Sequence, residues 1–121
     1  MHDVFPNELS LWQKQGALLL DVRSPLEYAS GHVPGSVNIP LEQLLDHLAA
    51  LKSPLVTICA TGSRAGLAAE VLEYEGFEVG KLVSGLQGYV AQGYRLERSS
   101  LPSPAPQAVE AAFRPEEAPC S

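Results

Sequence analysis

Residues 55–76 read LVTICATGSRAGLAAEVLEYEG, a strand, a loop and a helix in succession. Leu55-Val56-Thr57-Ile58-Cys59 is a continuous β-branched and apolar run of strand length. Runs of this kind suit strands buried on both faces of a parallel sheet. Ala65 to Glu75 reads as a helix, with Gly76 in the expected stop position. Between them lies Cys59-Ala60-Thr61-Gly62-Ser63-Arg64. In open α/β sheets, ligands bind beyond the carboxyl ends of the strands. The following helix directs unpaired backbone N–H groups at whatever occupies the loop. Gly62 permits a backbone conformation that would strain a residue with a Cβ. The small side chains of Ala60, Thr61 and Ser63 keep the loop amides accessible. Together these features predict a concave cradle for an anion. Cys59 at its base would be held as the nucleophilic thiolate, and Arg64 adds a guanidinium fork suited to an oxyanion. The plainer alternatives are a small buried hydrophobe for Cys59 and a solvated side chain for Arg64.

Outward from this segment, strands and helices alternate. Asn7 to Gln15 predicts a first helix with Leu9 and Trp12 on one face and Gly16 as its stop. Ala17 to Val22 is a second buried-strand run. Ser24-Pro25-Leu26-Glu27 has the form of a capping box, with proline at the first helical position. Val37-Asn38-Ile39 is a short strand closed by Pro40. Leu41, Leu44, Leu45, Leu48 and Leu51 form an amphipathic stripe at spacings of three and four. Val79 to Val83 is a further strand, and Gln87 to Gln92 a final short helix. The alternation predicts an α/β domain: a doubly wound, mostly parallel sheet with helices on both faces.

The pattern ends near residue 96. Residues 97–121 hold five of the ten prolines, with Ser99, Ser100 and Ser103 between them. This composition predicts a tail with at most one short helix, over Gln107–Phe113. A length of 121 residues therefore divides into one domain, 1–96, and an appendage. Net charge is −6, from 14 acidic and 8 basic residues, which argues against a nucleic-acid binder. Two cysteines make no disulfide framework, and there is no CxxC pair. His2, His32 and His47 are too scattered for a metal site. The N-terminus lacks a signal peptide and no stretch approaches a membrane span, so a cytoplasmic protein is expected. Nothing marks an oligomer interface, and a monomer is the default.

Four blocks resemble the single-domain rhodaneses, a sulfurtransferase family. They are Asp21-Val22-Arg23 followed by Glu27; Gly31-His32-Val33-Pro34-Gly35-Ser36-Val37-Asn38-Ile39-Pro40, close to the family's GHIPGAxNIP; Cys59-x-x-Gly62-x-Arg64; and Ser84-Gly85-Leu86-Gln87-Gly88-Tyr89, where the family usually shows GGxxxW. The resemblance runs from about residue 4 to 96. It implies about five strands with Cys59 on the central one, no cofactor, and a double displacement. Cys59 would take the outer sulfur of a small anionic donor such as thiosulfate. The persulfide would then pass it to cyanide, a thiol or a sulfur-accepting protein. Ala60, Thr61, Gly62, Ser63 and Arg64 would bind the substrate.

Ser84 and Tyr89 depart from the fourth block, and the tyrosine hydroxyl requires a partner or water. The charged residues of the other blocks read as structural. Asp21 can accept backbone N–H bonds at its turn. Arg23 and Glu27 could pair, and His32 ties down a loop. Arg64 has a second reading as the partner of an acidic neighbour. Cys120 reads as a tail thiol, with resolution of a sulfur species on Cys59 as the sharper idea. A phosphatase or arsenate reductase is disfavoured, because cysteine phosphatases typically hold one more residue between Cys and Arg. A persulfide carrier or regulatory module serving a partner protein is the non-enzymatic alternative.

Overall fold

A computed structural model describes residues 1–98; the tail helix expected over Gln107–Phe113, and Cys120, lie outside the described residues. In chain order the elements are β1 (His2–Val4), a 3-10 turn (Pro6–Glu8), α1 (Leu9–Lys14), β2 (Leu18–Asp21) and α2 (Pro25–Ser30). There follow β3 (Val37–Asn38), a 3-10 segment (Leu41–Ala50), β4 (Leu55–Ile58), α3 (Ser63–Tyr74), β5 (Val79–Leu82) and α4 (Gly85–Ala91). The strands form one five-stranded sheet, ordered β1-β5-β4-β2-β3, and every ladder is parallel. β4 lies at the centre. The chain leaves β2 toward β3 on one side and β4 toward β5 on the other. The crevice at their carboxyl ends is thus the topological switch point, where such sheets hold ligands.

The period-two alternation of the strands divides the core into two layers. Leu20, Leu55, Cys59 and Val79 face Leu44 of the 3-10 segment and Ala65, Ala68, Ala69 and Leu72 of α3. Leu19, Val56, Ile58, Leu82 and Val4 face the opposite way, with Leu9 and Trp12 of α1 and Leu86 and Tyr89 of α4. The alanines at spacings of three and four let α3 lie close on the sheet. Thr57 is fully buried between Val56 and Ile58, and its hydroxyl donates to the Ala65 carbonyl at 2.8 Å, tying α3 to β4.

Three details depart from the sequence reading. The strand β1 was not legible: it has three residues, and only Val4 is buried. The first helix opens as a 3-10 turn before α1 begins at Leu9. The leucine-rich stripe at 41–51 is a 3-10 segment, whose three residues per turn bring 41 and 44 into line. Leu44 is therefore 1% exposed and Leu45 63%.

Candidate active site

Cys59 is the first residue beyond the end of central β4, and it is completely buried. Its Sγ accepts hydrogen bonds from the Gly62 amide at 3.0 Å and the Ala65 amide at 3.2 Å. The first comes from the loop, the second from the first turn of α3. Gly62 makes this curl possible: its φ of 112° lies in the region that disfavours a side chain. The loop rim consists of half-buried Ala60 and exposed Thr61 and Ser63.

A second clamp, unforeseen in the sequence, fixes the outside of the loop. The amides of Leu86 and Gln87 donate to the carbonyls of Cys59 (2.9 Å) and Ala60 (3.1 Å). The start of α4 therefore pulls both carbonyls away from the cradle while Gly62 and Ala65 turn their N–H groups into it. Close approach requires Gly85, where a Cβ would meet both carbonyl oxygens at 2.5 Å. Ser84 precedes it at φ 64°, a left-handed conformation rare for serine. The signal available in the sequence was the Gly85 of the fourth block.

At the rim, Arg64 forms a bidentate pair with Glu27, at 2.8 and 3.0 Å. Glu27 is itself fixed by the capping box: its amide donates to Ser24 Oγ, and its carboxylate accepts from the Ser24 amide. The bonds to Arg64 first, and the Ser24 amide next, hold the Glu27 carboxyl at about 2, well below its ordinary 4.5. Bonding to Glu27 in turn pushes the Arg64 guanidinium up, with the charge of Cys59 acting in the same direction. A permanent cation thus stands beside the cradle, carried on a carboxylate.

The chain has known relatives. The family model for the rhodanese-like domain matches residues 5–92. The chain belongs to the rhodanese-like domain family. It is 33% identical over 99 residues to the thiosulfate sulfurtransferase GlpE of Pseudomonas syringae, covering 80% of this chain and 87% of the relative. Against the GlpE of Pseudomonas paraeruginosa the identity is 34% over 109 residues, covering 85% and 93%. Among solved structures, a rhodanese-related protein of Thermoplasma volcanium superposes with a TM-score of 0.73 at 27% identity, covering 80% of this chain and 98% of the other.

The remaining charged residues of this rhodanese-like domain brace the loop that leaves β2. The expected Arg23–Glu27 pair does not form. Arg23 is bound instead to Asp21, through Nε at 3.0 Å and Nη2 at 2.8 Å, and Nη2 also reaches the Gly31 carbonyl. Asp21 accepts the Arg23 amide as well. Asp21 and Arg23 are close in sequence and both buried, so their pairing strips neither of a partner. Glu27 lies on the other side of the cap and is committed to Arg64. Asn38 donates to the carbonyls of Asp21 and Arg23 and closes the turn. The His32 ring stacks on Tyr28, with Nδ1 2.8 Å from the Tyr28 carbonyl, and the His32 backbone pairs with Glu97. The ring of Tyr89 stacks on Tyr94, and burial pushes its hydroxyl pKa up. Among the described residues, no His, Cys, Asp or Glu group of three or more converges as a metal site. No helix among them is long and apolar enough to cross a membrane.

Proposed function

We propose that the protein is a sulfurtransferase in which Cys59 carries the transferred sulfur. The observation that supports this most directly is the pair of amides, Gly62 and Ala65, bonded to the Cys59 sulfur. Two fixed N–H dipoles stabilise an anionic sulfur without a separate base, both as thiolate and as persulfide. The GlpE relatives are named thiosulfate sulfurtransferases, which supports an anionic sulfane donor. In the first step the Cys59 sulfur attacks the outer sulfur of thiosulfate. An S–S bond forms, the donor's S–S bond breaks, and sulfite leaves with the electron pair. In the second step an acceptor, cyanide or a thiolate, attacks the outer persulfide sulfur and returns Cys59 to the thiolate. Arg64 draws the anionic donor to the rim, and the Ala60, Thr61, Gly62 and Ser63 backbone encloses it. Asp21, Arg23 and His32 hold the neighbouring loop and take no part in the chemistry.

Intact-mass measurement after thiosulfate treatment tests the proposal. One added sulfur is expected on the wild type and none on Cys59→Ala. A wild-type protein that gains no sulfur overturns it.

A further inference from the structure

Thr57 is the one polar side chain of β4, with Leu55, Val56 and Ile58 around it, and it is completely buried. A valine has nearly the same shape and needs no hydrogen-bond partner. A buried hydroxyl costs stability unless it is bonded. Packing therefore does not call for the hydroxyl, and its partner gives the reason for it. Oγ1 lies 2.8 Å from the Ala65 carbonyl and 3.4 Å from the Gly80 carbonyl of β5. Its single proton serves the nearer one.

Ala65 is also the residue of α3 whose amide meets the Cys59 sulfur, at 3.2 Å. Thr57 and Cys59 are two positions apart in extended chain, so they project from the same face of the sheet. Ala65 bridges them, with its N–H on the sulfur and its C=O on the hydroxyl. The bridge matters because α3 begins without a side-chain cap: Gly62 stands at the N-cap and has no side chain to offer. The first amides of a helix have no carbonyl partner and are held by whatever caps them. Here the capping atom is the reacting sulfur, whose charge and bonding change in each half of the reaction. The Thr57 hydroxyl is neutral throughout, so its hold on Ala65 does not change with them.

We propose that Thr57 is a positioning residue: its hydroxyl fixes Ala65 so that the Ala65 amide stays aimed at the Cys59 sulfur through both half-reactions. This rests on the sulfurtransferase reading. Thr57 is fully buried and touches neither donor nor acceptor, so it acts on the rate of the chemical step and not on donor affinity.

The test is Thr57→Val, with Thr57→Ser as the conservative variant and Val4→Ala as a control. Val4 is buried in the layer on the opposite face of the sheet from Cys59. Its truncation is expected to lower the melting temperature by several degrees and to keep the wild-type rate. In Thr57→Val the Ala65 carbonyl keeps its helical partner, the amide four residues on, so melting within about 4 °C of wild type is expected. The rate of sulfur addition to Cys59 at saturating thiosulfate, followed by intact mass in a single turnover, is expected to fall about fivefold. The half-saturating thiosulfate concentration is expected to stay within about twofold. Thr57→Ser restores the donor and is expected to recover at least about half of the wild-type rate. Alkylation of Cys59 by iodoacetamide, which needs no sulfur donor, is expected to slow about fivefold in Thr57→Val and to recover in Thr57→Ser. A valine variant that loads and alkylates at the wild-type rate overturns the proposal. So does a serine variant as slow as the valine, or a Val4→Ala control slowed equally. Wild-type protein that takes no sulfur removes the sulfurtransferase reading itself, and the alkylation series then decides the role of Thr57 alone.

Discussion

The chemistry of a cysteine is set by what its sulfur touches. Cys59 is buried among the apolar residues beside α3, and burial alone would make it inert. Two amides nevertheless meet the sulfur, and they are aimed by glycines on either side: Gly62 within the loop and Gly85 against its back. Gly85→Ala is expected to push α4 off the loop, costing about 1–3 kcal/mol of stability and slowing alkylation of Cys59 by iodoacetamide at least tenfold. Denaturant titration and a timed alkylation series measure the two effects. Ser84→Gly is expected to act oppositely, relieving a left-handed serine and raising stability by up to about 1 kcal/mol. Arg64→Ala is expected to raise the KM for thiosulfate with the fold retained, whereas Glu27→Gln, which leaves the cation in place, raises it less. Equal KM values in wild type and Arg64→Ala would assign Arg64 to the ion pair alone.

At the scale of elements, the best-marked features in the sequence were those with local causes. The capping box at Ser24–Glu27 forms with both of its bonds, because its partners are three residues apart. Ser24→Ala is expected to cost about 1 kcal/mol, read by denaturant midpoint. The buried runs of β2, β4 and β5 were legible from their composition, and α3 from its small-residue periodicity and terminal glycine. Where the cause was not local, the reading failed. β1 pairs with β5, whose matching residues lie 78 positions away (His2 opposite Gly80), and its three residues carry no periodicity. The leucine stripe fits either helix type, and its contact with α3 and the sheet selected the tighter one. Leu44→Ala is expected to cost about 2–5 kcal/mol, while Leu45→Ala costs less than about 0.5 kcal/mol. Equal losses would restore an α-helical register.

For the whole molecule, the Glu27–Arg64 pair is a link between α2 and α3 that responds to pH. Glu27 has its carboxyl lowered from 4.5 to about 2 by folding, so the folded state favours the ionised form. Its contribution is fully present above about 4.5 and is lost as pH falls toward 2. Both side chains are about two-fifths exposed, so the effect is modest and screened by salt. The stability gap between wild type and Glu27→Gln is expected to shrink between pH 4.5 and 2, as measured by thermal melts across that range. Partner choice among the charged groups was not legible in the sequence. Arg23 had Asp21 and Glu27 within four residues, and Arg64 had no acid near it in sequence. Chain proximity predicted Arg23–Glu27, but the turn after β2 folds Arg23 back on Asp21 and leaves Glu27 facing α3. The succession of strands and helices, the cysteine at a strand end and the glycine in its loop were written in residue types, since each follows from local propensity and period. The choice of ion pairs, the N-terminal strand and the α4 clamp on the loop carbonyls depend on segments distant in sequence, and they exist only once the parallel sheet has brought those segments together.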